Sequence, residues 1–144
     1  MIFLRNNLAR YEIHVANYYF SRKAYLAAAA RGRAVVENYQ GSPAVPDGLA
    51  SMIQAYHMLG QDDLSQNAVE VLRSNYPDYP ALNDDGSFNF NYAGQLDKSN
   101  WVSYLTLGLF NKQAEIGFDT RDIYNPAHQK KPKELKGKQT PKPE

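Results

Sequence analysis

A shift of 37 residues lays one half of the first 77 positions on the other. Tyr19 falls on Tyr56, Lys23 on Gly60, Val35 on Leu72, Asn38-Tyr39 on Asn75-Tyr76, and Gln40 on Pro77. Within each half the apolar residues recur every three to four positions, as on an amphipathic helix. Leu4, Leu8, Tyr11, Val15 and Tyr18/Tyr19 form the first stripe, uninterrupted by Pro or Gly over 2–20. Ser21 and Arg22-Lys23 mark a turn, and 24–39 resume with Ala24, Ala27, Ala28, Ala29, Ala30, Val35, Val36 and Tyr39. Gly41-Ser42-Pro43 and Pro46 break that helix. A third helix starts at Pro46 or Asp47, because proline is tolerated in a first turn. It carries Leu49, Met52, Ile53, Tyr56 and Leu59 and stops at Gly60. Asp62 or Asp63 is the expected cap of a fourth helix, with Leu64, Ala68, Val69, Val71 and Leu72, which Pro77 ends. The expected fold is all-α, built from antiparallel helix pairs.

The spacing resembles the tetratricopeptide repeat, a unit of about 34 residues, with a slightly longer loop between repeats. Tyr19 and Tyr56 match its first-helix tyrosine, Tyr25 and Ala28 the aromatic and small positions of its second helix, and Pro77 its terminal proline. Ser65, Gly32 and Gln40 depart from the pattern, and a mixed four-helix bundle would show similar stripes. One repeat cannot bury its own face, and about three are usually needed for stability. Two are present here, and the first helix opens on Ile2-Phe3-Leu4 with no capping residue before it. The expectation is that Met1 is internal to a longer chain, or that another chain covers this end.

Composition narrows the chemistry. The absence of cysteine excludes a disulfide framework, a thiolate zinc site and a Cys nucleophile. A net charge of +1 over 144 residues argues against a globally basic nucleic-acid binder. No apolar run approaches the roughly 18 residues of a membrane span, and Met1-Ile2-Phe3-Leu4 is followed at once by Arg5-Asn6-Asn7, so it is not a secretory signal. His14, His57 and His128 lack companions at metal-ligand spacing and read as structural. Asn83 to Asn89 resembles a calcium loop but lacks the alternating acids and closing Glu, so Asp84-Asp85-Gly86 reads as a turn. With no phosphate loop, nucleophile elbow or acid/base pair, neither an enzyme nor a cofactor is expected.

Beyond 77 the pattern changes. Residues 78–124 read as an extension with an aromatic loop and a further helix. Phe88-Asn89-Phe90-Asn91-Tyr92 reads as a short strand or an ordered loop. A helix capped by Asp97, Ser99 or Asn100 would run to about Asn111 and cover the open end of the repeats. The competing reading is a partner-binding or membrane-surface helix, against which its few charges argue. Ile116, Phe118, Ile123 and Tyr124 would trail back over the repeats. From Pro126 to Glu144 there are six Lys, two Glu and four Pro, a net charge of +4 against −3 for residues 1–125. Residues 125–144 read as a disordered Lys/Pro-rich tail, with too little apolar surface to offset its ordering entropy. It could tether the chain weakly to an anionic surface.

The run Arg5-Asn-Asn-Leu-Ala-Arg-Tyr-Glu-Ile-His-Val-Ala-Asn-Tyr-Tyr-Phe-Ser-Arg-Lys-Ala-Tyr25, continuing from Ala28 to Tyr39, resembles the BamD (YfiO, ComL) family over about residues 1–77. These are repeat lipoproteins of the machinery that assembles outer-membrane β-barrels in Gram-negative bacteria. The resemblance implies a five-repeat protein on the periplasmic face of the outer membrane. Its N-terminal half is associated with recognising unfolded barrel substrates, and its C-terminal half docks on a periplasmic POTRA domain of the barrel subunit BamA. On that resemblance the present chain is the C-terminal half, without the lipidated Cys, with possible contacts to other lipoproteins of the complex. Arg31 falls where the family carries an arginine that meets an acidic residue of the partner. A planar guanidinium on a rigid helix can grip a carboxylate through two parallel hydrogen bonds. Arg33 and Tyr25 are the supporting candidates. The competing readings are a solvated face with Arg33 paired to Glu37 at i,i+4, and Tyr25 packed inside the repeat. The alternative functions are a periplasmic repeat adaptor for another partner and the anionic-surface tether.

Overall fold

The structure is a computed structural model that describes residues 1–92, 117–120 and 124–126. Four helices occupy the first part of the chain: α1 (Ile2–Ser21), α2 (Tyr25–Asn38), α3 (Val45–Met58) and α4 (Asp62–Asn75). Each packs antiparallel on the next, and α3 also touches α1, as stacked helix pairs require. Among the described residues there is no strand, only an isolated antiparallel bridge between Leu82 and Phe88. The tetratricopeptide-like all-α fold expected from the periodicity is the observed one.

The 37-residue register holds at the level of single bonds. α2 and α4 are both 14 residues long and begin 37 positions apart. The turn before α2 places Lys23 at φ 59°, and the turn before α4 places Gly60 at φ 71°. Ala24 N–H donates to Tyr19 O at 2.9 Å, and Gln61 N–H to Tyr56 O at 2.9 Å. One detail differs from expectation. Gln61 takes the cap position of α4 with no side-chain cap bond, and Asp62 and Asp63 lie inside its first turn. There they face the positive end of the helix dipole instead of capping it.

The two pairs meet at glycine. A Cβ on Gly32 of α2 would lie 2.6 Å from Gly48 O of α3, and one on Gly48 would lie 3.0 Å from Gly32 O. Backbones this close leave no room for a side chain at position 32, so the departure from the repeat pattern at Gly32 is a packing requirement. Ser65, the other departure, is buried and donates to Ile53 O at 3.0 Å.

The core extends past the repeats. Phe20, Leu49, Ile53, Tyr56 and Leu72 share one buried cluster with Tyr79, Ala81, Phe88 and Phe118. Residues 82–88 close a tight turn in which Asp85 Oδ1 accepts from Ser87 N–H at 2.8 Å and from its hydroxyl at 2.6 Å. Phe88-Asn89-Phe90 is thus an ordered loop: Phe88 is buried, and Phe90 stacks on His57 at 4.0 Å between ring centroids. Phe118 and Tyr124 do return over the repeats, the latter edge-on to Tyr79 at 5.4 Å. The expected helix at 97–111, Ile116, Ile123 and the tail from 127 onward lie outside the described residues.

Candidate functional site

The three candidate residues all lie on α2, but the helix does not bring them together. Arg31 is exposed at 44% and donates to Glu12 Oε2 of α1 at 3.2 Å. Hydrogen bonding and charge from Glu12 hold its guanidinium above its ordinary pKa, with a lesser contribution from Tyr19. Arg33 lies two residues on, so it projects to another side of the helix. It donates to the Tyr56 hydroxyl at 2.5 Å, and that bond is the main cause of its raised pKa. The expected i,i+4 partner Glu37 contributes only a minor charge effect, because Tyr56 of the following repeat is the group in hydrogen-bond reach. Arg33 lines a groove of about 320 Å³ between α2 and α4, with Leu26, Ala30 and Leu64 as its apolar walls. Tyr25 is half-buried and packs on Phe20 with ring centroids 6.3 Å apart, which is the packing role weighed from the sequence. Arg31 therefore faces the first repeat pair's α1 side, and Arg33 the seam with the second.

A second constellation was missed by sequence reasoning, which read Asp47 only as a helix start. Its carboxylate has no exposed surface. It pairs with Arg10 of α1, accepts from the Tyr79 hydroxyl at 2.9 Å and from Thr120 Oγ1 at 2.6 Å, and receives Thr120 N–H at 3.4 Å. Arg10 also donates to Pro43 O at 3.2 Å and lies 3.5 Å from Asp119 Oδ1. Burial pushes the Asp47 carboxyl above its usual range, and Thr120, Arg10 and Tyr79 act against that push. Burial, and then the Asp47 charge, hold the Tyr79 hydroxyl well above its usual value, so Tyr79 stays a donor. Beside this hub, Phe118 N–H donates to Asn17 Oδ1 at 2.9 Å. The available signal was a lone acid between helix-breaking Pro46 and Gly48 in an otherwise uncharged stretch; its partners lie far away in the sequence.

His14 is exposed on α1, and His57 sits 3.3 Å from Asp62 Oδ1 while stacking on Phe90. His128 lies outside the described residues. Among the described residues no group of three His, Asp or Glu side chains is arranged to hold a metal ion. Among them, too, no helix is long and apolar enough to cross a membrane.

Comparison with known proteins gives these surfaces a context. The family described as YfiO, outer membrane lipoprotein, matches residues 1–83. The chain is similar to the outer membrane protein assembly factor BamD of Xylella fastidiosa (strain Temecula1), at 44% identity over 79 residues, 55% of this chain and 27% of that protein. It is similar to BamD of Neisseria meningitidis serogroup A at 35% identity over 104 residues, 72% of this chain and 36% of that protein. With BamD of Haemophilus influenzae it shares 31% identity over 75 residues, 52% of this chain and 29% of that protein. The chain thus spans about a quarter to a third of the length of these relatives. No solved structure matches it. The family match covers more than half of the sequence, and the chain belongs to the YfiO outer-membrane lipoprotein family.

Proposed function

We propose that this chain is a non-enzymatic docking module of outer-membrane β-barrel protein assembly, acting at the periplasmic face of the outer membrane as a C-terminal portion of a BamD-type protein. Its partner on this reading is a periplasmic POTRA domain of a BamA-like barrel subunit. Membership of a family whose relatives are named assembly factors supports the role. One observation carries the docking face: the Arg31 guanidinium stands exposed on a helix clamped on both sides. α2 is held by α1 on one side and by the Gly32–Gly48 contact with α3 on the other. A side chain on so rigid a support loses little freedom on binding. Arg33 and the groove beside it would extend the contact toward α4, and Tyr25 would stiffen the start of α2 from inside.

Glu12 gives the reading a sharper consequence. It already neutralises Arg31, so an acidic partner must displace or share it. Binding to the periplasmic domains of the cognate BamA-like protein is the test. Arg31→Glu should weaken it at least about tenfold. Glu12→Gln, which frees the guanidinium, should tighten it about two- to fivefold, the range of an exposed ion pair. Binding indifferent to both changes would remove Arg31 from the interface.

A further inference from the structure

The face shared by α1 and α3 holds a segment that reaches it from far along the chain. Gly117–Thr120 forms neither helix nor turn, and Phe118 lies 101 residues beyond the Asn17 it bonds. Yet Phe118 and Thr120 are buried, and each residue from 118 to 120 meets its own receptor group. The Phe118 amide donates to Asn17, and its ring sits against Phe20 and Phe88 at 6.3 and 6.0 Å. The Asp119 carboxylate faces Arg10 at 3.5 Å, and the Thr120 hydroxyl and amide go to Asp47. Backbone amide, aromatic ring, carboxylate and hydroxyl are thus read in order, as a receptor reads a peptide.

Three of the receptor groups also have partners outside this segment. Arg10 is fixed by Pro43 O and Asp47, Asp47 by Tyr79, and Phe88 by Phe90 at 5.2 Å. The repeat register adds an independent observation. One repeat on from Asn17, the equivalent position is Gln54, which is only 4% exposed. Its Oε1 is the buried side-chain atom without a hydrogen-bond partner among the described residues. A buried acceptor without a donor is costly and calls for an explanation. An amide N–H reaching it from a longer linear segment supplies one, repeating what Phe118 does at Asn17.

We propose that the α1–α3 face is a peptide-binding site, occupied here in cis by Gly117–Thr120. Its ligand is a linear segment bearing an aromatic, an acidic and a hydroxyl side chain in succession, with backbone amides taken by Asn17 and Gln54. Docking through α2 and peptide capture on α1–α3 use different surfaces, so each can fail alone. The test uses the full chain with Phe118→Ala and Thr120→Val, which weakens the cis segment, and a synthetic peptide with the sequence of residues 113–124. The variant should bind the peptide at least about tenfold more tightly than the unmodified chain, because an internal competitor acts at high effective concentration. Adding Asn17→Ala should reduce that affinity. Adding Gln54→Met should also reduce it while leaving the melting temperature unchanged or higher, since the substitution removes an unpaired buried acceptor. A role in folding alone would not give that split.

A folded variant that does not bind, or affinity indifferent to Gln54→Met, would overturn the site. If the double variant does not fold, amide exchange on the unmodified chain decides. The Phe118 and Thr120 amides should exchange at least about tenfold faster than that of Ile53, because a bound segment opens without global unfolding. Exchange at the same rate as Ile53 would make the segment a fixed part of the core and overturn the proposal.

Discussion

The Tyr79 hydroxyl makes a hydrogen bond to Asp47 whose loss has a defined pH signature. The hydroxyl is buried and donates to the Asp47 carboxylate, so ionising it would place two negative charges 2.9 Å apart out of water. The folded state therefore holds this proton more tightly than the unfolded chain, where tyrosine titrates near about 10. The stability it contributes is complete below that value and is lost as pH rises through the higher folded value. Burial raises Tyr76 and Tyr92 in the same direction, so they add a smaller slope of the same sign. Tyr79→Phe should cost about 1–3 kcal/mol at neutral pH, by leaving a buried carboxylate short of a donor. It should also flatten the fall in stability above about pH 10. Urea unfolding of both proteins at neutral and alkaline pH measures the two effects; parallel alkaline slopes would show that Tyr79 does not titrate with folding. None of this was legible locally. Asp47 finds its partners 37 residues before it and 32 and 73 residues after it, and no periodicity records such meetings.

At the scale of the helical element, the sequence was far more informative, because caps and turns are short-range devices. Lys23 and Gly60 occupy equivalent left-handed positions, and each closes its helix with the same bond, to Phe20 O at 2.9 Å and His57 O at 3.0 Å. A side chain in that conformation costs about 1–2 kcal/mol, and glycine escapes the cost. Lys23→Gly should therefore stabilise the chain by up to about 1 kcal/mol, while Gly60→Ala should destabilise it by a similar amount. No atom lies within 4 Å of a Cβ built on Gly60, so backbone strain is the only term in the second change. Thermal melts of the two variants should move in opposite directions; shifts of the same sign would mean that the turns are not equivalent. The alignment of Lys23 on Gly60 was visible in the 37-residue shift. The cap of α4 was misplaced onto Asp62 or Asp63, because an acidic pair near a helix start fits both a cap and a first turn, and only the turn geometry assigns Gln61.

Over the whole molecule, two helices of the same repeat position live in different environments. α3 is enclosed by α2, by α4 and in part by α1, whereas α1 has neighbours only on the α2 and α3 side among the described elements. The register makes the contrast position by position. Leu8 is 55% exposed where Val45 is 7%, and Tyr11 is 63% exposed where Gly48 abuts the α2 backbone. The apolar stripe on α1 was read correctly as helical, but a stripe does not say which part of it is covered. That depends on the order in which the elements stack, as does the burial of Tyr79, Phe88 and Phe118, whose segments lack helical period. Matched substitutions should expose the difference. Leu8→Ala and Tyr11→Ala should each change stability by no more than about 0.5 kcal/mol, as exposed positions do. Val45→Ala should cost about 1–3 kcal/mol through lost burial and a residual cavity. Gly48→Ala should cost a similar amount, about 1–3 kcal/mol, because the contact it would make is with the rigid backbone at Gly32 O. Denaturant unfolding of the four variants measures all of these in one series. Equal costs at Leu8 and Val45 would mean that the outer face of α1 is covered in solution, by another copy or by a part of the chain outside the described residues, and dilution of the sample would tell those two apart because only the first depends on concentration.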